Sequence, residues 1–142
     1  MRLLIKRLEN FAGFDAPAHN GDAGYDVYST EDVFITSLER GAIPLGIAVE
    51  FPKGYMARVE QKSGNSLEHG FTTIGNVIDS TYRGEIHAIV VNISPYTVHI
   101  KKGMKVAQLV FLKVENPEPR FVTELNGTSR GSDGFGSTTK ED

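Results

Sequence analysis

The chain of 142 residues contains no cysteine. That absence excludes disulfides, thiolate catalysis and any cysteine-ligated zinc, and it fits a reducing compartment. No apolar run approaches the length of a membrane span. At the N-terminus, Met1-Arg2-Leu3-Leu4-Ile5-Lys6-Arg7-Leu8 is broken by charge before a signal-peptide core can form. A cytoplasmic protein with no membrane partner is expected. Positive charge is also scarce: 15 Lys+Arg against 18 Asp+Glu leave a formal net charge of −3. Such a field does not attract nucleic-acid polymer, so no nucleic-acid partner is expected, and an anion binds only where local groups override the field. Helical periodicity is nearly missing. Its single candidate is a turn at Asn65-Ser66-Leu67-Glu68-His69, with Asn65 or Ser66 as N-cap and Gly70 as the stop.

What is present is a period of two. Ile43, Leu45, Ile47, Val49 and Phe51 alternate with Ala42, Pro44, Gly46, Ala48 and Glu50, the pattern of a strand with one buried face. Pro52-Lys53-Gly54 then turns the chain into a second alternation at Tyr55, Ala57 and Val59, so the pair reads as a hairpin or a corner. Ile86 to Val91 and Val106 to Val114 are apolar on both faces. A domain this small has little room for doubly buried strands, so these point to contact with another subunit. Fifteen glycines and six prolines supply turns between short strands, and the fold expected is all-β, a sandwich or barrel. The length suits one core domain, placed at residues 1–125. Residues 126–142 form a glycine-rich arm almost without core-forming residues.

Four loops set a glycine beside an acid, a hydroxyl or a cation. In Asp22-Ala23-Gly24-Tyr25-Asp26 a carboxylate can hold a hard cation, directly or through water, or simply close an Asx turn. In Gln61-Lys62-Ser63-Gly64-Asn65-Ser66 backbone N–H groups, hydroxyls and a lysine can cradle a phosphate, or simply cap a helix start. Gly75 to Gly84 reads as a hairpin whose tip carries Asp79 and Tyr82: an acid able to take a proton from water, and a ring able to stack on a sugar or base. The plainer reading of that loop is a polar hairpin in which Gly84 supplies a positive φ. The stretch from Arg130 to Thr138 has the glycine spacing of a Walker A loop but lacks its lysine, its strand and its helix, so it is not one. His19, His69, His87 and His99 show no metal-ligand spacing, and His87 and His99 read as strand residues.

Taken in order, these loops resemble the trimeric dUTPase family. Ala23-Gly24-Tyr25-Asp26 resembles its first motif, Lys62-Ser63-Gly64 its second, and Gly75 through Gly84 its third. Val106-Ala107-Gln108-Leu109 resembles the fourth, and Arg130-Gly131 with Gly134-Phe135-Gly136-Ser137-Thr138 the fifth. The resemblance implies a jelly-roll-like β subunit assembled as a homotrimer with three shared sites. It also implies Mg²⁺-dependent hydrolysis of dUTP to dUMP and pyrophosphate, which limits uracil in DNA and supplies dUMP for thymidylate synthesis. By resemblance, Asp79 activates the attacking water and binds the 3′-hydroxyl. Tyr82 packs under the deoxyribose and excludes a 2′-hydroxyl. The backbone of Gly75, Asn76, Val77 and Ile78 reads the uracil edge, which a cytosine would leave unpaired. Asp26 holds Mg²⁺ through its water shell. Ser63 and Gln108 position phosphate and water, with Lys62 and Gly64 beside them. Arg130 takes the γ-phosphate, Phe135 stacks over uracil, and Gly136, Ser137 and Thr138 close the arm as a lid.

The chain departs from the family pattern at several positions. Lys62 stands where an arginine is expected, Asn65-Ser66 replaces a more apolar pair, Asn76 replaces a small residue, and Thr139 follows where the motif ends in glycine. Tyr96, on the turn after Asn92, is an extra aromatic within possible reach of the base. Two alternatives carry different chemistry. A dCTP deaminase of the same fold needs an arginine-rich second motif and a catalytic glutamate, and Lys62-Ser63-Gly64-Asn65-Ser66-Leu67 lacks the arginines. A purely binding module has no need of Asp79.

Overall fold

The computed structural model describes residues 1–134. Among these, twelve strands appear: β1 (Leu4–Arg7), β2 (Phe14–Asp15), β3 (Gly24–Tyr28), β4 (Val33–Ile35), β5 (Arg40–Pro44), β6 (Ile47–Glu50), β7 (Tyr55–Glu60), β8 (Phe71–Ile74), β9 (Val77–Asp79), β10 (His87–Asn92), β11 (Val98–Ile100) and β12 (Lys105–Lys113). They form four antiparallel groups in the orders β2-β3-β12-β7-β9, β5-β10-β8, β1-β6 and β11-β4. The fold is all-β, as the period of two predicts.

The core is the inward set of these alternations. Val27, Ile43, Leu45, Ile47, Ala57, Val90, Ile100, Val106 and Leu109 are fully buried, and each large aliphatic side chain contributes about 1.5–3 kcal/mol by leaving water. Asn92 is buried among them with its amide satisfied: Nδ2 donates to the carbonyls of Ile35 at 2.9 Å and Tyr96 at 2.6 Å, and Oδ1 accepts the Ser94 N–H at 2.9 Å. This ties the turn after β10 to β4.

Three local expectations change. The single strand expected over residues 42–51 is two, because Gly46 takes φ +65. Its partners change there too: β5 pairs with β10 and β6 with β1. The Pro52–Gly54 turn is a corner, since β6 and β7 pair with different strands. The turn over Asn65–His69 exists, as one π-helical turn ending at Gly70 with φ +69, but its N-cap is Gly64 and no side chain caps it. Asn65 instead donates from Nδ2 to the carbonyls of Lys105 at 2.9 Å and Val106 at 3.1 Å, fastening the turn to β12.

The doubly apolar strands bury one face each. On the other face Ile89 of β10 and Leu112 of β12 are each 38 % exposed.

Candidate functional site

The first part of the site is built where the chain changes sheets. After β8, Gly75 takes φ +62 and the Asn76 carbonyl accepts the Val59 N–H at 2.9 Å. This peels the chain from β10 onto β7, where Asp79, Ile78 and Val77 stand opposite Met56, Ala57 and Arg58. The expected hairpin is therefore not one: β9 and β10 lie in different sheets. A turn closes through the Tyr82 N–H to the Asp79 carbonyl at 3.0 Å. Between the two sheets lies a groove of 470 Å³ lined by Gly75, Val77, Ile78, Asp79 and Tyr82. Five of the loop residues singled out by sequence thus share one hollow, whereas Asn76 does not line it and its covered Oδ1 has no hydrogen-bond partner among the described residues.

Glu85, His87, Ala42 and Ile89 line it as well, and sequence reasoning did not find them. No motif spacing marks them: Ala42, His87 and Ile89 enter through the β5–β10 pairing, and Glu85 lies just before β10. The Tyr82 hydroxyl donates to the Glu85 carbonyl at 3.0 Å, which fixes the ring across the groove mouth. Gly84 is not in the left-handed region. Its role is room: a Cβ there would lie 2.4 Å from the Tyr82 hydroxyl oxygen.

The second part lies on the face of β3 and β12. Gln108 stands opposite Asp26 on β3 and opposite Glu60 on β7. Its Nε2 donates to the Gln61 carbonyl at 3.2 Å. Gln61, Ser63, Ser66 and Gln108 line a hollow of 540 Å³ beside the helical turn. The Ser66 hydroxyl is covered and without a hydrogen-bond partner among the described residues. Lys62, two residues past the end of β7, reaches across β12 and pairs with Asp26 Oδ1.

Asp26 also lies 3.1 Å from Lys105 Nζ through its other oxygen, and Lys105 is 3.2 Å from Asp15. Burial pushes the Asp26 carboxyl up, but hydrogen bonds and charge from Lys62 and Lys105 outweigh it, so it sits below the usual carboxylate range. The Tyr28 hydroxyl donates to Asp15 Oδ2; that bond, with Lys105 beside it, lowers Asp15, and it raises Tyr28 above the usual phenol value against the opposing pull of Lys105. Asp26 raises Lys105 furthest, Tyr28 and Asp15 adding to it. Lys105, Asp15 and Tyr28 were not visible as site neighbours in the sequence, since only strand register brings them together.

The two parts do not meet within one chain. Asp79 lies opposite Met56 and Gln108 opposite Glu60, on the two flanks of β7. Four residues along a strand at about 3.3 Å and two strand spacings at about 4.8 Å put their backbones on the order of 16 Å apart. Arg130 is in neither hollow. It sits in an exposed turn with Nε donating to the Asp133 carbonyl at 2.9 Å. From Glu115 to Asp133 the chain is exposed, Phe121 and Leu125 included. Phe135, Gly136, Ser137 and Thr138 lie outside the described residues. Tyr96 lines a separate hollow with Leu67, His69 and His99, not the groove of Asp79.

The donor set decides what metal chemistry fits. Among the described residues no three His, Asp or Glu side chains converge to hold an ion. A dedicated protein cage is therefore not built there. A cation that arrives chelated by phosphates asks only for an acceptor for its waters, and Asp26 fits that role.

The comparisons with known proteins converge. The dUTPase family model matches residues 7–139. The chain is similar to the deoxyuridine 5′-triphosphate nucleotidohydrolase of Clostridium kluyveri, 42% identical over 140 residues, which are 97% of this chain and 98% of that protein. It is also similar to the protein of the same name from Paramecium bursaria Chlorella virus 1, 40% identical over 136 residues and 96% of each chain. Among solved structures, the dUTPase of Staphylococcus bacteriophage 80alpha with dUPNHPP superimposes with a TM-score of 0.87 at 27% identity, covering 96% of this chain and 97% of that one. A mutant dUTPase from phage phi11 of S. aureus, with a structural Mg(II) ion, gives 0.81 at 25% identity over 89% of this chain and 100% of that one. Fold and site define an all-β protein with a groove lined by an acid and a tyrosine. The chain belongs to the dUTPase family.

Proposed function

We propose that the protein hydrolyses dUTP to dUMP and pyrophosphate, as a homotrimer whose sites lie between subunits. The observation that carries this reading is the convergence of Gly75, Val77, Ile78, Asp79 and Tyr82 on one groove in a chain of the dUTPase family. In the reaction, Asp79 takes a proton from a water, and the water oxygen attacks the α phosphorus. The bond from that phosphorus to the bridging oxygen breaks in line, and pyrophosphate leaves with the electron pair. A positioned base contributes about 10²–10⁴-fold.

Tyr82, fixed through Glu85, packs under the deoxyribose where a 2′-hydroxyl would collide. The main chain of Gly75 to Ile78 pairs with the uracil edge. A cytosine there leaves buried donors and acceptors unmatched. Gln108 and Ser63 orient water and phosphate from the other face, with Lys62 and the Gly64 backbone beside them. Asp26 would hold the water shell of a Mg²⁺ carried in on the triphosphate, and the ion would supply neutralisation of phosphate charge there. Because Asp79 and Gln108 are so far apart within one chain, a second subunit supplies the complementary half. Packing in the trimer covers Ile89 and Leu112. Residues 126–142 serve as an arm that brings Arg130 and the fifth motif to a neighbouring site.

The test is pyrophosphate release from dUTP, dCTP, dTTP and UTP in parallel, with Mg²⁺ and with EDTA. Release from dUTP alone, dependent on metal, is expected. Asp79→Asn is expected to abolish turnover while leaving nucleotide binding. No release from any of the four contradicts the reading, and ammonia release from dCTP favours the deaminase.

A further inference from the structure

The Asp26 carboxylate is divided between two lysines held in different ways. The pairing of β3 with β12 shifts register between Lys105 and Ala107, so that Lys105 stands opposite Tyr28. Without that bulge the register of Gln108 with Asp26 would put Lys105 opposite Ser29, on the other face of the sheet. With it, Lys105 shares a face with Tyr28 and Asp26, and with Asp15, which lies opposite Asp26 on β2. Lys105 is thereby held from several sides: Nζ is 3.1 Å from Asp26 Oδ2, 3.2 Å from Asp15 Oδ2 and 5.5 Å from the centre of the Tyr28 ring. Asp15 is itself held by the Tyr28 hydroxyl. The Lys62 ammonium, among the described residues, is held by Asp26 Oδ1 alone.

We propose that Lys62 is an exchangeable counter-ion of Asp26 and Lys105 a fixed one. When nucleotide arrives with its metal, Lys62 leaves Oδ1 for a phosphate oxygen, while Lys105, braced by Asp15 and Tyr28, keeps the carboxylate in place. This rests on Asp26 serving the metal's water shell. A hydrated cation and an ammonium compete for the same oxygen, and the incoming phosphate offers the displaced ammonium a new anion. Lysine suits the exchange. Its point charge on a flexible stem changes partners without rebuilding a planar fork, whereas an arginine gripping a carboxylate through two bonds resists release. Lys105 is then a positioning residue, and the lysine found where the family pattern has arginine gains a role.

The test is the affinity of the α,β-imido analogue of dUTP, measured by calorimetry on the full chain in Mg²⁺ and in EDTA. The ratio of the two dissociation constants reports how strongly metal assists binding. Lys62→Met is expected to raise that ratio about fivefold, because metal no longer displaces an ammonium worth one partly exposed ion pair. Its binding in EDTA is expected to weaken. Lys105→Met is expected to lower the ratio by about the same factor, with Lys105→Arg restoring it and Tyr28→Phe, which keeps the ring, lowering it less. An unchanged ratio in Lys62→Met makes Lys62 a plain phosphate ligand and overturns the exchange. An unchanged ratio in a folded Lys105→Met or Tyr28→Phe overturns the positioning role. Wild-type protein that releases no pyrophosphate from dUTP defeats the functional reading itself. Wild-type protein that hydrolyses dUTP with metal, beside variants of unchanged ratio, defeats this inference alone.

Discussion

The side chain of Gln108 lies on Gly24: a Cβ at position 24 would stand 2.2 Å from Gln108 Oε1 and 2.8 Å from its Cδ. The two residues sit on one face of the β3–β12 pair, Gly24 opposite Val110 and Gln108 opposite Asp26. Gly24 is thus the floor on which the Gln108 amide rests while its Nε2 bonds the Gln61 carbonyl. Gly24→Ala is expected to push the amide out of position without touching the buried core. A displacement of about 1 Å in a positioning group costs on the order of 10² in kcat. Steady-state kinetics with a melting curve checks this. A folded Gly24→Ala with normal kcat removes Gln108 from the catalytic arrangement.

Gly84 stands in a similar relation to Tyr82, with 2.4 Å between a built Cβ and the hydroxyl oxygen. If the ring edge excludes a 2′-hydroxyl, Gly84→Ala shifts the ring and relaxes that exclusion. The preference for dUTP over UTP, as a ratio of kcat/KM, is expected to fall by about tenfold or more, on the scale of one lost contact of 1–3 kcal/mol. A folded variant with unchanged preference would assign sugar selection to another residue.

The pair of Asp32 and His99 gives a dependence on pH away from the site. His99 Nε2 lies 2.8 Å from Asp32 Oδ1, and the His99 ring stacks on Phe34 with centroids 4.1 Å apart. The hydrogen bond from His99 holds the Asp32 carboxyl below its ordinary value. The folded state therefore binds this proton less readily than the unfolded chain. Its stabilisation is present above the unfolded value of about 3.9 and is lost as pH falls through the folded value. Asp32→Asn is expected to lower the urea midpoint slightly at about pH 5.5 and to match wild type well below pH 3.9. Equal midpoints at both pH values mean the pair contributes nothing.

The sequence made the alternation and the loops legible, and left the register between strands unread. Ile43, Leu45, Ile47, Val49 and Phe51 are all buried, as their spacing predicts. The break between β5 and β6 was not visible, because in the alternation Gly46 falls among the residues between the apolar ones, where a glycine by itself marks no break. Only the fold shows that a Cβ there would meet Thr30 Cγ2 at 2.8 Å and Phe11 Cα at 3.0 Å. Asp79 and Tyr82 were legible as a pair because they are three residues apart in one loop. His87 and Ile89, lining the same groove, were not, since their place depends on β10 pairing with β5. Lys105 is the sharpest case. One bulge decides which face it occupies, and a single sequence carries no mark of that bulge.

We propose that each site is completed between copies of the chain, since Asp79 and Gln108 lie on opposite flanks of β7 with backbones on the order of 16 Å apart. The most direct measurement mixes two inactive variants, Asp79→Asn and Gln108→Ala, by refolding them together and assaying pyrophosphate release from dUTP. If a site takes Asp79 from one subunit and Gln108 from the next, random association in a closed ring leaves about one site in four with both native residues. Activity near a quarter of wild type is the predicted result. Activity no greater than that of the two variants assayed separately would place both residues in a single-chain site.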